Sequence, residues 1–182
     1  MMSIANIKFY FNKIRHSIRR FILTFNRKNV VIDRSSYWGP SVDIEVSKTG
    51  SLTIANGVMI SKGSFIGVRE NGKLTIGHGT FINRNTMIVS HKSINIGSKV
   101  TIGPNCCFFD HDHKICNQGE YVLGGIVIDD NVWIGASVVI LKGVHIGANS
   151  VIAAGSIVWK DVPPNTIFIQ KKQEEFRRIL NS

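Results

Sequence analysis

The sequence is poor in cysteine, proline and acid, and each shortage excludes something. Its three cysteines, Cys106, Cys107 and Cys116, are an odd and unspaced set that fits neither a disulfide framework nor a zinc knuckle. A reducing cytoplasm is therefore the expected compartment. No apolar run approaches the roughly 20 residues that span a bilayer. The N-terminus has no apolar block followed by a small-residue cleavage site, so no secretory signal is expected. Four prolines stand against 17 glycines in 182 residues, and the glycines recur between aliphatic residues instead of clustering in a linker. The length suits one domain with a sizeable core.

The shortage of acid is local. Residues 1–32 contain Lys8, Lys13, Arg15, Arg19, Arg20, Arg27 and Lys28 and no Asp or Glu, which is +7 of the net +10. The basicity belongs to this segment more than to the body. It argues against a general nucleic-acid-binding surface and for a local anionic partner. Ile7, Phe11, Ile14, Ile18, Phe21 and Phe25 recur there at three and four, the spacing of an amphipathic helix over residues 3–26. Two expectations follow for that helix. It caps the open end of the body or packs in an oligomer, or it lies on an anionic membrane surface.

What the body has is a period of six. Ile128, Ile134, Ile140, Ile146, Ile152 and Val158 follow one another at that spacing, as do Ile54, Ile60, Ile66, then Ile76, Ile82, Ile88, then Ile96, Ile102, Phe108. A small residue often follows the aliphatic (Gly77, Gly97, Gly103, Gly135, Gly147, Ala153), and a small or β-branched one stands two positions before it (Thr80, Val100, Val132, Val138, Ser150). Six is not a helical period. It fits short strands in which residues two apart share a side, each strand ending in a tight turn, and such strands stack as a solenoid.

The phase slips three times: ten residues from Ile66 to Ile76, eight from Ile88 to Ile96, and twenty from Phe108 to Ile128. The first two read as short surface loops. The third holds Asp110-His111-Asp112-His113, and excursions from a rigid scaffold are where functional residues collect. Alternating imidazole and carboxylate suits a polar loop, a metal site, or a general base whose tautomer a carboxylate fixes. Cys106 falls on an inward column and Cys107 on the outward side, so neither is placed for covalent catalysis.

Over residues 30–166 the sequence resembles the hexapeptide-repeat acyltransferase superfamily. The resemblance is carried by Asn131-Val132-Trp133-Ile134-Gly135-Ala136, by Ile152-Ala153-Ala154-Gly155-Ser156 and by the run from Ile96-Gly97 through Asn105 to His113. It implies an all-β solenoid, a left-handed parallel β-helix with three hexapeptides per triangular coil. Residues 1–29 would be the basic amphipathic helix, 30–166 the β-helix with a loop at 109–126, and 167–182 a short C-terminal helical cap. Within that superfamily it resembles bacterial sugar and polysaccharide O-acetyltransferases, which use acetyl-CoA as co-substrate, need no metal and assemble as homotrimers. Laid without gaps on that pattern, His113 falls on the catalytic base and His111 on a variable position. Asp110 or Asp112 would orient the imidazole. Asn83 falls on an acceptor-sugar asparagine, with Asp110 grouped on the same acceptor side. Trp133, Ala136, Ala154 and Lys160 fall along the coenzyme A path, Lys160 toward the nucleotide phosphates. After Val162-Pro163-Pro164-Asn165 the family's usual glycine-proline-alanine turn is replaced by Ile167-Phe168-Ile169-Gln170, which departs from the pattern at the adenine end. The implied acceptor is a capsule, lipopolysaccharide or exopolysaccharide sugar. Antibiotic or amino-sugar N-acetylation is the alternative within the superfamily, and a γ-type zinc carbonic anhydrase using His91, His111 and His113 the alternative outside it.

Overall fold

The computed structural model describes the backbone of residues 4–114 and 119–170, and side chains from residue 14 onward. Helix α1 (Ile4–Thr24) comes first, and most of the described residues after it form a stack of coils. The first coil is β1 (Val30–Ile32), β2 (Tyr37–Trp38) and β3 (Asp43–Val46). The second is β4 (Ser51–Ile54), β5 (Met59–Ile60) and β6 (Phe65–Val68), and the third β7 (Lys73–Ile76), β8 (Phe81–Ile82) and β9 (Met87–Ser90). The fourth is β10 (Ser93–Ile96), β11 (Thr101–Ile102) and β12 (Cys107–Phe109). A hairpin, β13 (His111–His113) and β14 (Tyr121–Leu123), then leaves the stack. Coil five is β15 (Ile126–Ile128), β16 (Trp133–Ile134) and β17 (Val139–Ile140), and coil six β18 (His145–Ile146), β19 (Val151–Ile152) and β20 (Ile157–Val158). A last strand, β21 (Ile167–Phe168), pairs with β19.

Each strand pairs in parallel with the equivalent strand of the neighbouring coil, which produces three flat faces around one core. The coils wind as a left-handed parallel β-helix. One amide per face shows the bonding along the axis: Gly97 N–H donates to Ile128 O at 2.8 Å, Thr101 N–H to Val132 O at 2.9 Å and Cys107 N–H to Val138 O at 2.9 Å. The register matches aliphatic to aliphatic, Ile96 to Ile76 and Ile128, Ile102 to Ile82 and Ile134, Phe108 to Ile88 and Ile140. These columns are fully buried, and each such side chain taken out of water contributes roughly 1.5–3 kcal/mol. Where the residue two positions earlier is Ser or Thr, its buried hydroxyl donates to a carbonyl, of the next corner at Thr80 (Gly97 O, 2.8 Å) and Ser150 (Pro163 O, 2.8 Å) and of its own turn at Ser156 (Ala153 O, 2.7 Å). The core thus holds hydroxyls without leaving them unpaired.

The corners explain the small residues. Asn85, Asn105, Asn131, Asn149 and Asn165 all have φ between 56° and 60°, a left-handed backbone that asparagine tolerates. They also stack: Asn131 Nδ2 donates to Asn149 Oδ1 at 3.3 Å, and Asn149 Nδ2 to Asn165 Oδ1 at 3.0 Å. At Gly135 the need is room, since a Cβ there would sit 2.6 Å from the Ala154 nitrogen.

Two features differ from the sequence expectation. The stacking continues past residue 166, because Ile167–Phe168 adds a strand to the second face where a helical cap was expected. The rest of the expected C-terminal helical cap, residues 171–182, lies outside the described residues. At the other end α1 covers the first coil, but with its polar side. Arg19 donates to Val42 O and Arg20 to Arg34 O (3.1 Å), and Arg27, just past the helix, donates to Val46 O and Ser47 O (2.7 and 2.9 Å). These carbonyls belong to the first coil, which has no coil before it to bond. His16 packs its ring 4.0 Å from that of Trp38, and Leu23 touches the core edge.

Replacing Ile134 by alanine is expected to lower folding stability by about 2–5 kcal/mol in denaturant titration, as for other buried isoleucines. Asn95, exposed on the first face, is the control, and its alanine variant is expected to stay within about 0.5 kcal/mol of the parent.

Candidate active site

All three phase slips fall on one corner, between the third face and the first. The twenty-residue slip is an antiparallel hairpin that sets His111 opposite Leu123, Asp112 opposite Val122 and His113 opposite Tyr121. Both ends of the excursion are tied down. Gly124 N–H donates to Asp110 O (2.9 Å), and Gly143 N–H of the next coil donates to Gly124 O (3.0 Å).

Asp110 is the anchor. It is fully buried, and its carboxylate accepts the His91 amide at Oδ1 (2.8 Å) and the Lys92 amide and Ser90 hydroxyl at Oδ2 (2.8 and 2.9 Å). One carboxylate therefore holds the corner of the coil below, against which the hairpin packs. His111 Nδ1 lies 3.4 Å from Asp110 Oδ1 but makes no hydrogen bond. Its ring sits 4.1 Å from that of His91 and 5.3 Å from that of Tyr121. His91 in turn packs 4.4 Å from Tyr121, and burial, with the His111 ring beside it, pushes its pKa below the ordinary 6.5.

His113 is exposed, with Tyr121 4.9 Å from its ring. Asp112 accepts the His113 amide (3.0 Å) and the Lys142 ammonium (3.2 Å), and the Lys142 bond and charge hold its carboxyl below the usual range. Phe109, His111, Asp112, His113, Leu141 and Lys142 line a cavity of about 310 Å³. An accessible imidazole beside two apolar walls and a fixed ammonium is equipped for proton transfer to a bound polar molecule. Among the described residues no three His, Cys, Asp or Glu side chains are grouped to hold a metal ion. The imidazoles instead pack ring to ring. Burial pushes the Cys106 and Cys107 thiols up, away from the reactive thiolate.

Residues 125–158 match the family model described as bacterial transferase hexapeptide (six repeats). The structure aligns with a hexapeptide-repeat containing acetyltransferase of Vibrio cholerae solved with acetyl coenzyme A, at 32% identity over 90% of this chain and 78% of that one, with a TM-score of 0.58. The chain belongs to the hexapeptide-repeat acetyltransferase family. A maltose O-acetyltransferase of Clostridium difficile aligns at 30% identity over 82% of this chain and 73% of that one, with a TM-score of 0.52. The galactoside O-acetyltransferase of Escherichia coli is 46% identical over 87 residues, which is 46% of this chain and 43% of that one. The match thus spans about half or less of the length of these curated relatives.

Within this family frame, the residues singled out from sequence divide between two edges. His113 enters the cavity at the edge between the third and first faces, and exposed Lys160 follows β20 onto the same edge two coils on. Asn83, Ala136 and Ala154 occupy the opposite edge, between the second and third faces. Trp133, 57% exposed, lies on the outer second face. The two edges are separated by a strand's length of the third face, roughly 13 Å for four residues. Asp110 is corrected outright: a buried carboxylate with three internal donors does not reach an acceptor sugar. Sequence reasoning missed Phe109, Leu141 and Lys142. The signal was present for the last two, since Leu141-Lys142 follows Ile140 where Gly135 and Gly147 follow other aliphatics of the column.

Two outcomes are expected. Asp110→Ala strips three donors of their acceptor and should cost about 3 kcal/mol or more in denaturant titration, with faster amide exchange at His91 and Lys92. For pH, the folded chain resists protonating His91 and His16, both depressed mainly by burial. The unfolded chain takes those protons as pH falls through about 6.5, so stability is full above that value and declines below it. The Tm is expected to fall between about pH 7.5 and pH 5.5, and His91→Gln to flatten that fall.

Proposed function

We propose that the protein transfers an acetyl group from acetyl-CoA to a sugar hydroxyl, with His113 as the general base. The observation that carries this reading is the cavity at the hairpin, where His113 is the accessible imidazole. His111 is packed among His91, Tyr121 and Phe109. The unprotonated imidazole takes the proton of the acceptor hydroxyl as that oxygen attacks the thioester carbonyl. The carbonyl carbon passes through a tetrahedral oxyanion, the C–S bond breaks, and the imidazolium returns the proton to the leaving thiolate. Lys142, already beside the cavity, supplies positive charge near the developing oxyanion. The acceptor class rests on the maltose and galactoside O-acetyltransferases among the relatives. A capsule, lipopolysaccharide or exopolysaccharide sugar is the proposed acceptor type, made on the cytoplasmic side.

A homotrimer with sites shared between copies belongs to the same proposal. In one chain Asn83, Ala136 and Ala154 stand on the edge opposite His113 and Lys160. A second copy that sets the one edge against the other brings all five to one groove. The small residues of that edge leave space for a pantetheine arm along the coils, and Lys160 lies where the nucleotide phosphates would meet a cation.

The test is acetyl-CoA turnover against a panel of sugars, read as free thiol. His113→Ala is expected to lose about 10²–10⁴ in kcat, and near-parental turnover in that variant would remove His113 as the base. Asn83→Ala is expected to be weakened too. Refolding the two variants together should restore activity, because some sites then combine an intact Asn83 with an intact His113. Failure to restore it assigns both residues to one chain.

A further inference from the structure

We infer that α1 is a docking element for an anionic lipid surface, carried on the solenoid with its apolar stripe turned outward. An amphipathic helix that merely caps a solenoid buries its apolar side on the core and shows its charges to water. Here the arrangement is reversed. On α1, His16, Arg19, Arg20 and Leu23 face the first coil, Arg19 and Arg20 are bonded to its carbonyls, and Arg27, just past the helix, is bonded there too. Ile14, Ile18, Phe21, Ile22 and Phe25 are 59, 54, 62, 67 and 65% exposed. They follow one another at helical spacing and include an aromatic pair, Phe21 and Phe25, with ring centroids 5.1 Å apart. In sequence the same spacing runs back through Phe11 and Ile7. So large an apolar strip on the surface marks an interaction site.

Charge selects the occupant. Residues 1–32 hold seven basic residues and no acid. Exposed Arg15 borders the stripe on α1, and exposed Lys28 follows shortly after the helix. A bilayer with anionic headgroups meets both properties at once, the stripe entering the acyl boundary and the cations resting at the phosphates. Two copies joined through α1 would set these acid-free segments against each other. No helix among the described residues is long and apolar enough to cross a membrane, which leaves α1 lying in the interface plane. Arg19 and Arg20 of α1 fix it there: because their guanidiniums are engaged with the Val42 and Arg34 carbonyls of the first coil, the helix cannot roll its stripe onto the core without freeing those acceptors.

This inference is independent of acetyl transfer and is tested separately. The full chain is centrifuged with vesicles of phosphatidylcholine alone and with vesicles containing phosphatidylglycerol, beside the double variant Ile18→Ser/Phe21→Ser. Both side chains are exposed, so the variant is expected to keep the parental Tm, oligomeric mass and turnover with a soluble acceptor. The parent is expected to pellet with the anionic vesicles and to be released at about 0.5 M salt, where charge attraction is screened. The variant should bind at least about tenfold more weakly. Absence of parental pelleting with anionic vesicles, or equal pelleting of parent and variant, overturns the inference. A fall in the solution mass of the variant overturns it too, by assigning the stripe to a second copy.

Discussion

Backbone pairing along the axis is the constraint on which this molecule depends. Each amide on one coil must meet a carbonyl on the next, so each coil must return to the same place after three strands. That requirement fixes the inward columns, because a residue out of phase would swing an aliphatic side chain to the surface and a polar one inward. It fixes the corners as well, where Asn85, Asn105 and Asn131 take a left-handed turn that most residues resist. Any extra chain must then leave at a corner and come back to it. Here all of it leaves at the same corner, so the two shorter loops and the hairpin form a single ridge beside the third face.

The hairpin needs more than exit and return; it needs a floor. Asp110 supplies it by carrying its charge into the corner of the coil below and accepting three donors there. A buried charge is costly unless it is this well solvated by the protein. The benefit is position: the residue next in sequence is His111, and His113 stands two further along a strand whose start cannot shift. An imidazole on a surface loop would wander. On this hairpin it is held relative to Lys142, which comes from the following coil, and the cavity exists because three successive coils agree in register.

The repeat made most of the fold legible in advance. Columns two residues apart, small residues at the corners and the sites of the three slips all follow from a period of six, and the buried residues are those the period selects. Handedness was carried by resemblance, since spacing alone is the same for either wind. Within the site, the Asp-His-Asp-His run was visible as chemistry, but its division of labour was not. Asp110 looks like a ligand contact in one dimension, and only its burial shows it as a tether. Lys142 lies 30 residues from Asp112, a separation set by coil circumference plus the hairpin, so no local motif announces the pair.

The N-terminal helix shows where pattern reading ends. Its three-and-four spacing is the same whether the apolar side meets a core or something outside the chain, and the usual expectation is the core. The first coil decides otherwise, because an end coil offers two things to a neighbour: apolar rims and unpaired carbonyls. A helix can satisfy the carbonyls only with side-chain donors, and in this sequence the donors are arginines on the side opposite the stripe. Bonding the Val42 and Arg34 carbonyls through Arg19 and Arg20 therefore turns Ile18 and Phe21 away from the protein. The outward stripe is the consequence of closing an open backbone edge with guanidinium groups, and the partner it demands must tolerate both the hydrophobic strip and the unbalanced positive charge of the chain that carries it.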